Sequence, residues 1–280
     1  MNYQNHLELK LITNPLGQTV VQHQYTAYPL RLSSVFRLEK ANCDRAYLYL
    51  INTSPGLLAG DELNLLLHLD SNTQIYFTDQ AATKVHSMPK SGTKAVVNYQ
   101  IIVESDASLE FVPEPIILYQ DASIEQTTIV QLHPTARLFL SEIILPGRLA
   151  RSEYYQFNYY FNRLKVTDLD NNLLFADAAR LLGQSNKFKH NELFTELPII
   201  GNAIAILPDV DLSLLIAKLE TNDTSQTFNI ELATTILPNC NSILIRALSN
   251  KTASLKDYFT YALNSIRSLT AQSSLPYIAK

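Results

Sequence analysis

Tryptophan is absent from this 280-residue sequence, glycine occurs only 7 times, cysteine only 2 times, and charged residues make up just 17%. Each scarcity excludes something. So few glycines leave little material for loops that cradle phosphates with backbone N–H groups, and no GxxxxGK[ST], GxGxxG or GxSxG pattern occurs. Ser91-Gly92-Thr93-Lys94 lacks the first glycine and the spacing of a phosphate loop. Cys43 and Cys240 stand far apart with no CxxC spacing, which argues against a disulfide-stapled secreted fold and fits a reducing compartment. The six histidines never fall within helix or turn spacing of one another, so no local metal motif such as HExxH is present. The net charge of −4 comes without any block of like charge, and neither nucleic acid nor an anionic membrane is an expected partner. An apolar run of roughly 18 uncharged residues, long enough to span a bilayer, is missing. Met1 to His6 lacks the basic and apolar regions of a signal peptide. The expected location is the cytoplasm, where the Asn-x-Ser/Thr triplets at Asn52, Asn222 and Asn250 are chance.

What is present is hydrophobic, at 46%, and arranged mostly with a period of two. Leu7, Leu9 and Leu11 alternate with Glu8 and Lys10, and Leu63, Leu65, Leu67 and Leu69 repeat the pattern, as half-buried strands do. Ala95 to Val103, Ser123 to Leu132 and Arg137 to Leu145 read as strands from their β-branched and aromatic content. Tyr154 to Phe161 reads as a further strand, with Tyr155, Phe157, Tyr159 and Phe161 on one face. Turn signals such as Ser54-Pro55-Gly56, Lys90-Ser91-Gly92 and Asp170-Asn171-Asn172 separate the runs. Helical spacing comes late. A short helix is expected over Leu212 to Leu219, with Asp209 or Asp211 at its start. A longer one is expected from Ser254 to about Ala271, with Ser254 and Asp257 as a capping box. Thr221 to Gln226 reads as loop, and Thr227 to Leu237 and Ser242 to Leu248 as two more strands. Regular strands with few helices imply a sandwich, barrel or β-solenoid, although no fixed-length repeat is visible. One domain is expected over 1–280, β-rich over 1–205 and mixed β/α over 206–280.

Carboxylates cluster at Asp61-Glu62, at Glu110 with Glu114, and at Glu142 with Glu153. Two acids across an aromatic groove would suit glycoside hydrolysis, whereas acids on turns and strand surfaces are the plainer reading. A peptide- or sugar-binding sandwich with the Tyr155 to Phe161 strand exposed is a second alternative. The residues alone support a β-rich protein and leave these open.

Pro55 to Asp61, Thr78 to Val85, Leu109 to Tyr119, Pro146 to Glu153, Leu173 to Asp177 and Ser242 to Leu248, in that order, resemble segments of the urease accessory protein family UreD, also called UreH. Pro55-Gly56-Leu57-Leu58-Ala59-Gly60-Asp61 resembles its PGG-x-x-GGD turn, and Thr78 to Val85 its TTQAATKVY stretch. Leu109 to Tyr119 resembles LEWLPQETILF, and Pro146 to Glu153 resembles GR-x-A-x-GE. Leu173-Leu174-Phe175-Ala176-Asp177 resembles a hydrophobic run ending in aspartate, and Ser242 to Leu248 the late strand before a C-terminal helix. Leu57, Ala59 and Ser152 replace glycines, so these turns are expected to adopt backbone angles that a Cβ tolerates. The ending Leu275 to Lys280 lacks the family's Pro-Arg-x-Trp. The resemblance implies a mainly β, superhelically wound fold (β-helix- or sandwich-like) with short C-terminal α-helices. It implies a non-catalytic scaffold that joins UreF and the GTPase UreG, docks on apo-urease and helps nickel arrive. No tightly bound cofactor is expected, only a transient nickel ion. Asp61, Glu153 and Asp177, at the ends of motifs, are the expected residues of an interior path for that ion.

Overall fold

The computed structural model describes residues 4–39, 44–185 and 190–279. Met1, Cys43, Lys280 and the side chain of Asn222, which figure in the expectations above, lie outside the described residues. The strands are β1 (Leu7–Thr13), β2 (Thr19–Thr26), β3 (Leu30–Leu32), β4 (Ala46–Asn52), β5 (Glu62–Leu69), β6 (Gln74–Asp79), β7 (Thr83–Val85), β8 (Ala95–Val103), β9 (Ser108–Phe111), β10 (Ile116–Leu118), β11 (Ser123–Leu132) and β12 (Arg137–Leu145). There follow β13 (Tyr159–Thr167), β14 (Leu173–Leu181), α1 (Glu192–Glu196), β15 (Ile199–Ile206), α2 (Leu212–Leu219), α3 (Asn222–Phe228), β16 (Glu231–Leu237), β17 (Ser242–Ser249) and α4 (Thr252–Leu269).

The chain winds between two sheets. From β4 onward it alternates between them, as β4, β5, β6, β8, β9, β11, β12 and β13, and like strands stack in parallel. The first sheet runs β14-β13-β11-β8-β5-β1-β2 and the second β16-β17-β15-β12-β9-β6-β4-β3, with β10 paired to β12 and β7 to β10. This is the superhelical winding expected, finished at one end by antiparallel strands. Its corners at Asp70–Thr73, Glu104–Ala107 and His133–Ala136 each close by a backbone bond from the fourth residue to the first. They are unequally spaced along the chain, which is why no fixed-length repeat is visible. Asn72, Asp106 and Asp121 take the left-handed backbone, which Asn and Asp tolerate better than most residues.

Alternation decides which side chains meet. Leu63, Leu65, Leu67 and Leu69 of β5 are buried against the second sheet, with Ile101 and Val103 of β8 and Ile124 and Val130 of β11. A second core lies on the other side of the second sheet, where Leu255, Tyr258, Phe259, Ala262, Leu263 and Ile266 of α4 pack on Ile243, Ile245 and Ala247 of β17. At roughly 25 cal/mol per Å² of apolar surface removed from water, such inter-layer burial drives assembly of the layers.

Three expected elements are corrected. Tyr154 to Phe161 is not one strand, since β13 begins only at Tyr159. Tyr155, with φ +50°, and Phe157 are buried in the loop before it; Tyr160 then points inward, while Tyr159 and Phe161 are half-buried. The left-handed residue shifts the frame, so one alternating run covers two environments. Thr221 to Gln226 is not loop: Thr221 caps α3 by accepting from the Thr224 N–H, and that helix takes the start of the expected strand. Finally, α4 starts at Thr252, ahead of Ser254; Lys251 is its cap residue without a side-chain bond, and Ser249 Oγ accepts the Lys251 N–H. The expected α2 is found as read, capped by Asp211. Ser152 also departs from expectation, adopting φ +55° despite its Cβ.

Candidate functional site

Pairing places the inward positions of the two sheets around one cavity of about 280 Å³. It reaches from β3, β4 and the 54–57 loop at one side to Phe175 and Asp177 of β14 and Leu244 of β17 at the other. Its mouth is made by segments that are distant in sequence. Leu57 N–H bonds Lys84 O at 2.8 Å and His86 N–H bonds Leu57 O at 2.9 Å, clamping the Pro55-Gly56 turn onto β7. Gly56 has φ +146°, and a Cβ there would lie 2.4 Å from Lys84 O, so only glycine fits. His86 braces the same turn, with Nε2 3.1 Å from Pro55 O and its ring edge-on to Tyr119.

Among the cavity-lining residues are four carboxylates, Asp79, Glu114, Glu142 and Asp177, and one lysine, Lys84. Glu142 is buried. Its Oε1 accepts from Tyr160 OH at 2.8 Å, Asn162 Nδ2 at 2.9 Å and Gln126 Nε2 at 3.4 Å. Its Oε2 has one long contact, Asn202 Nδ2 at 3.5 Å. Burial raises the Glu142 pKa, with the bonds from Tyr160, Asn162 and Asn202 opposing it. Burial, and then the adjacent Glu142, push the Tyr160 phenol well above its ordinary value. The Oδ1 atom of Asn162 is buried without a hydrogen-bond partner. Asp177 bonds Arg246 Nη2 at 2.6 Å, and Arg246 Nη1 bonds Asn202 Oδ1 at 2.7 Å, so the two carboxylates are joined through Arg246 and Asn202. Asp79 Oδ2 accepts the Glu114 N–H at 3.2 Å, and both Glu114 oxygens accept from Lys256 Nζ at the foot of α4.

Of the three carboxylates singled out in the sequence, Asp177 is on this wall; Asp61 and Glu153 are outside the lining. Asp61 Oδ2 accepts the Leu58 N–H at 2.7 Å and closes the turn that precedes β5. Glu153 is buried, accepts from Arg148 Nε at 2.5 Å and takes the Gln120 N–H. Arg148 in turn lies 4.3 Å over the Tyr119 ring. Glu153 thus ties the Gly147 loop to the segment before β11. Gly147 itself has φ +154°, with Glu153 O 2.0 Å from where a Cβ would sit. Glu110, read beside Glu114, faces the opposite side of the second sheet and pairs with Arg267. Glu142 was legible by parity, since it shares the inward face of β12 with Leu138, Leu140 and Ile144; a lone acid among them is a signal of a lined cavity.

Among the described residues, no group of three or more His, Cys, Asp and Glu side chains is placed to hold a metal ion. No described helix is long and apolar enough to cross a membrane.

The sequence matches the family model described as UreD urease accessory protein over residues 4–280. It is 54% identical over 276 residues to the urease accessory protein UreD of Trichodesmium erythraeum, covering 99% of both chains. It is 28% identical over 252 residues to the urease accessory protein UreH of Helicobacter hepaticus, covering 90% of this chain and 94% of that one. Against the urease accessory protein UreD of Bacillus cereus the identity is 26% over 242 residues, 86% of each chain. Five of the six motif segments quoted above contribute residues to the cavity lining, Pro146 to Glu153 lies outside it, and the family match runs through all six: the chain belongs to the UreD family of urease accessory proteins.

Proposed function

We propose that the chain is a non-catalytic cytoplasmic scaffold of urease maturation, which joins UreF and the GTPase UreG, docks on apo-urease, and gives a nickel ion passage through its cavity. The observation that carries the passage is the gathering of four carboxylates on one cavity wall, Asp79, Glu114, Glu142 and Asp177, of which Glu114 is matched by Lys256 and Asp177 by Arg246 from outside the lining. Acidic groups on low-dielectric walls focus negative potential and concentrate a divalent cation. Oxygen ligands suit transit, because nitrogen and sulfur donors hold a first-row divalent ion more tightly. Glu142 is suited to a brief contact: donors orient one oxygen, and the other keeps only its long bond from Asn202. The path runs past Asp79, Glu114, Glu142 and Asp177. Asp61 and Glu153 shape its walls by holding the turns behind them.

The test is nickel bound per urease active site after maturation with Glu142→Gln, alongside the yield of complex with UreF and UreG. Glu142→Gln keeps a carbonyl oxygen for Tyr160 and Asn162 while removing the charge. Nickel loading is expected to fall several-fold at unchanged complex yield. Full loading by Glu142→Gln combined with Asp177→Asn, in an intact complex, rules the passage out and leaves only the scaffold.

A further inference from the structure

The two sheets do not end together on the β14 side. β14 lies over β17: Asp177 meets Arg246 at 2.6 Å, and Phe175, Asp177 and Leu244 face the same cavity. β16 is the next strand of the second sheet, so it projects beyond the last strand of the first. Pairing of Ala233 with Arg246 and of Thr235 with Leu244 sets Glu231, Ala233 and Thr235 on the face turned toward the first sheet. That position is core by pattern, yet all three are exposed. β14 itself is paired with β13 along one edge, and among the described residues no strand pairs with the other. The chain after β14 turns away from that edge, since Gln184 Nε2 reaches Asp121 and Asn158 near the starts of β11 and β13. Among the described residues, what remains is a slot one strand wide, walled by the free edge of β14 and floored by the small side chains of Ala233 and Thr235.

The outer face beside the slot is basic. Arg180 pairs across to Phe161, Ala178 to Arg163 and Ala176 to Lys165, which brings three cations together on β13 and β14. Arg180 lies 5.7 Å over the Tyr159 ring and Arg163 5.5 Å over Phe161, so both guanidinium groups are held in place by aromatic faces. Among the described residues none of the three cations is in an ion pair with a carboxylate. Such a cluster is conspicuous in a chain whose net charge is −4.

We propose that this slot docks an extended acidic segment of a partner protein, which adds an eighth strand to the seven of the first sheet. Backbone bonds to the β14 edge supply affinity, and alternate side chains supply specificity. Inward residues of the segment rest on Ala233 and Thr235 and are small. Outward residues carry carboxylates, which meet Arg163, Lys165 and Arg180. An acid on the inward side would face Glu231, so the acids belong at alternate positions. The inference is independent of any ion passage and holds whether or not nickel crosses the cavity.

The experiment places the photo-crosslinking residue p-benzoylphenylalanine at Ala178, exposed on β14, in the full chain expressed in urease-forming cells, and sequences the segment captured. One partner segment is expected, with acids at alternate positions. The adduct is expected to drop about tenfold when Arg163→Glu, Lys165→Glu and Arg180→Glu are combined. The same three positions changed to Gln, a milder triple variant, are expected to lower it too and cover the case in which charge reversal impairs folding. Absence of an adduct, capture of a second copy of this chain, capture of a segment without such acids, or an adduct indifferent to both triple variants overturns the proposal.

Discussion

Glu142 has no ion-pair partner among the described residues, so burial disfavours its charged form and its folded-state pKa lies above the ordinary carboxylate value. The native protein therefore binds this proton more readily than the unfolded chain does. The corresponding stability is fully present below the unfolded carboxylate pKa, about 4.3, and is lost as pH rises through the raised folded value. Glu142→Gln removes that slope. Urea midpoints across this pH window are expected to fall less steeply in the variant than in the wild type, and the variant is expected to equal or exceed the wild type at the upper end. Parallel curves for the two proteins would sink this reading. Asp61 has a different role, a hydrogen bond from the Leu58 N–H in an exposed turn. Asp61→Asn keeps an acceptor and is expected to be nearly silent, whereas Asp61→Ala loses about 1 kcal/mol; equal losses for both would show that the charge matters more than the bond. Both residues were visible in the sequence as acids near motifs. Parity along β12 is enough to put Glu142 on an inward face, although the carboxylate was read only as one of a cluster; Tyr160, Asn162 and Asn202 come from β13 and β15, and only stacking of the two sheets brings them to it.

α4 is held to the second sheet by more than its apolar stripe. Arg267, buried near its last turn, donates to both Glu110 oxygens, at 2.9 and 2.5 Å, and to Tyr47 OH. Burial opposes its charge, but Glu110 beside it outweighs that and holds the guanidinium pKa above its ordinary value. Arg45 shares the same acid at 3.4 Å and also reaches Glu39 at 3.5 Å; burial dominates there and lowers its pKa. Removing one member of a buried pair leaves the other poorly compensated, so Arg267→Met is expected to cost about 3–5 kcal/mol in chemical denaturation. A loss below about 1 kcal/mol, the range of exposed pairs, would show that Arg45 alone suffices for Glu110. Leu263→Asp tests the apolar side of the same helix, where an unpaired buried carboxylate costs several kcal/mol; recovery of normally folded protein would dismiss a packing role for that stripe. The stripe was legible from Leu255 to Leu269 because helical period survives in sequence. Arg267 was not, since an arginine beside Ser265 and Ser268 looks like a solvated face, and its partner lies on β9, far away in the chain. Strands β8, β11 and β12 were read to the residue because their β-branched and aromatic content is bounded by turn-forming residues. The aromatic run before β13 misled because Tyr155 is left-handed, and period-two reasoning assumes an extended backbone throughout.

At the scale of the molecule the winding was legible only through the resemblance, because unequal rungs leave no repeat to count. Its consequence is asymmetry: α4 covers the outside of the second sheet, while among the described residues no helix packs over the outer face of the consecutive parallel strands β1, β5, β8, β11 and β13. Parallel sheets are ordinarily covered on both faces, so a bare one is an association surface in waiting. The outer edges of β14 and β16, along which no further strand pairs among the described residues, add to it. Apolar side chains lie close to these edges, with Leu173 and Leu214 both 55% exposed and Ile236 51% exposed, in a chain with only 17% charged residues to keep it apart from its copies. The isolated chain is therefore expected to self-associate with rising concentration. If the proposed scaffold role holds, co-expression with UreF raises its soluble yield several-fold and sharpens its sedimentation profile. Added salt is expected to leave the self-association in place, because burial of apolar surface rather than pairing of exposed charges drives it. A chain that sediments as a monodisperse monomer on its own, with a yield that UreF does not change, is incompatible with this expectation.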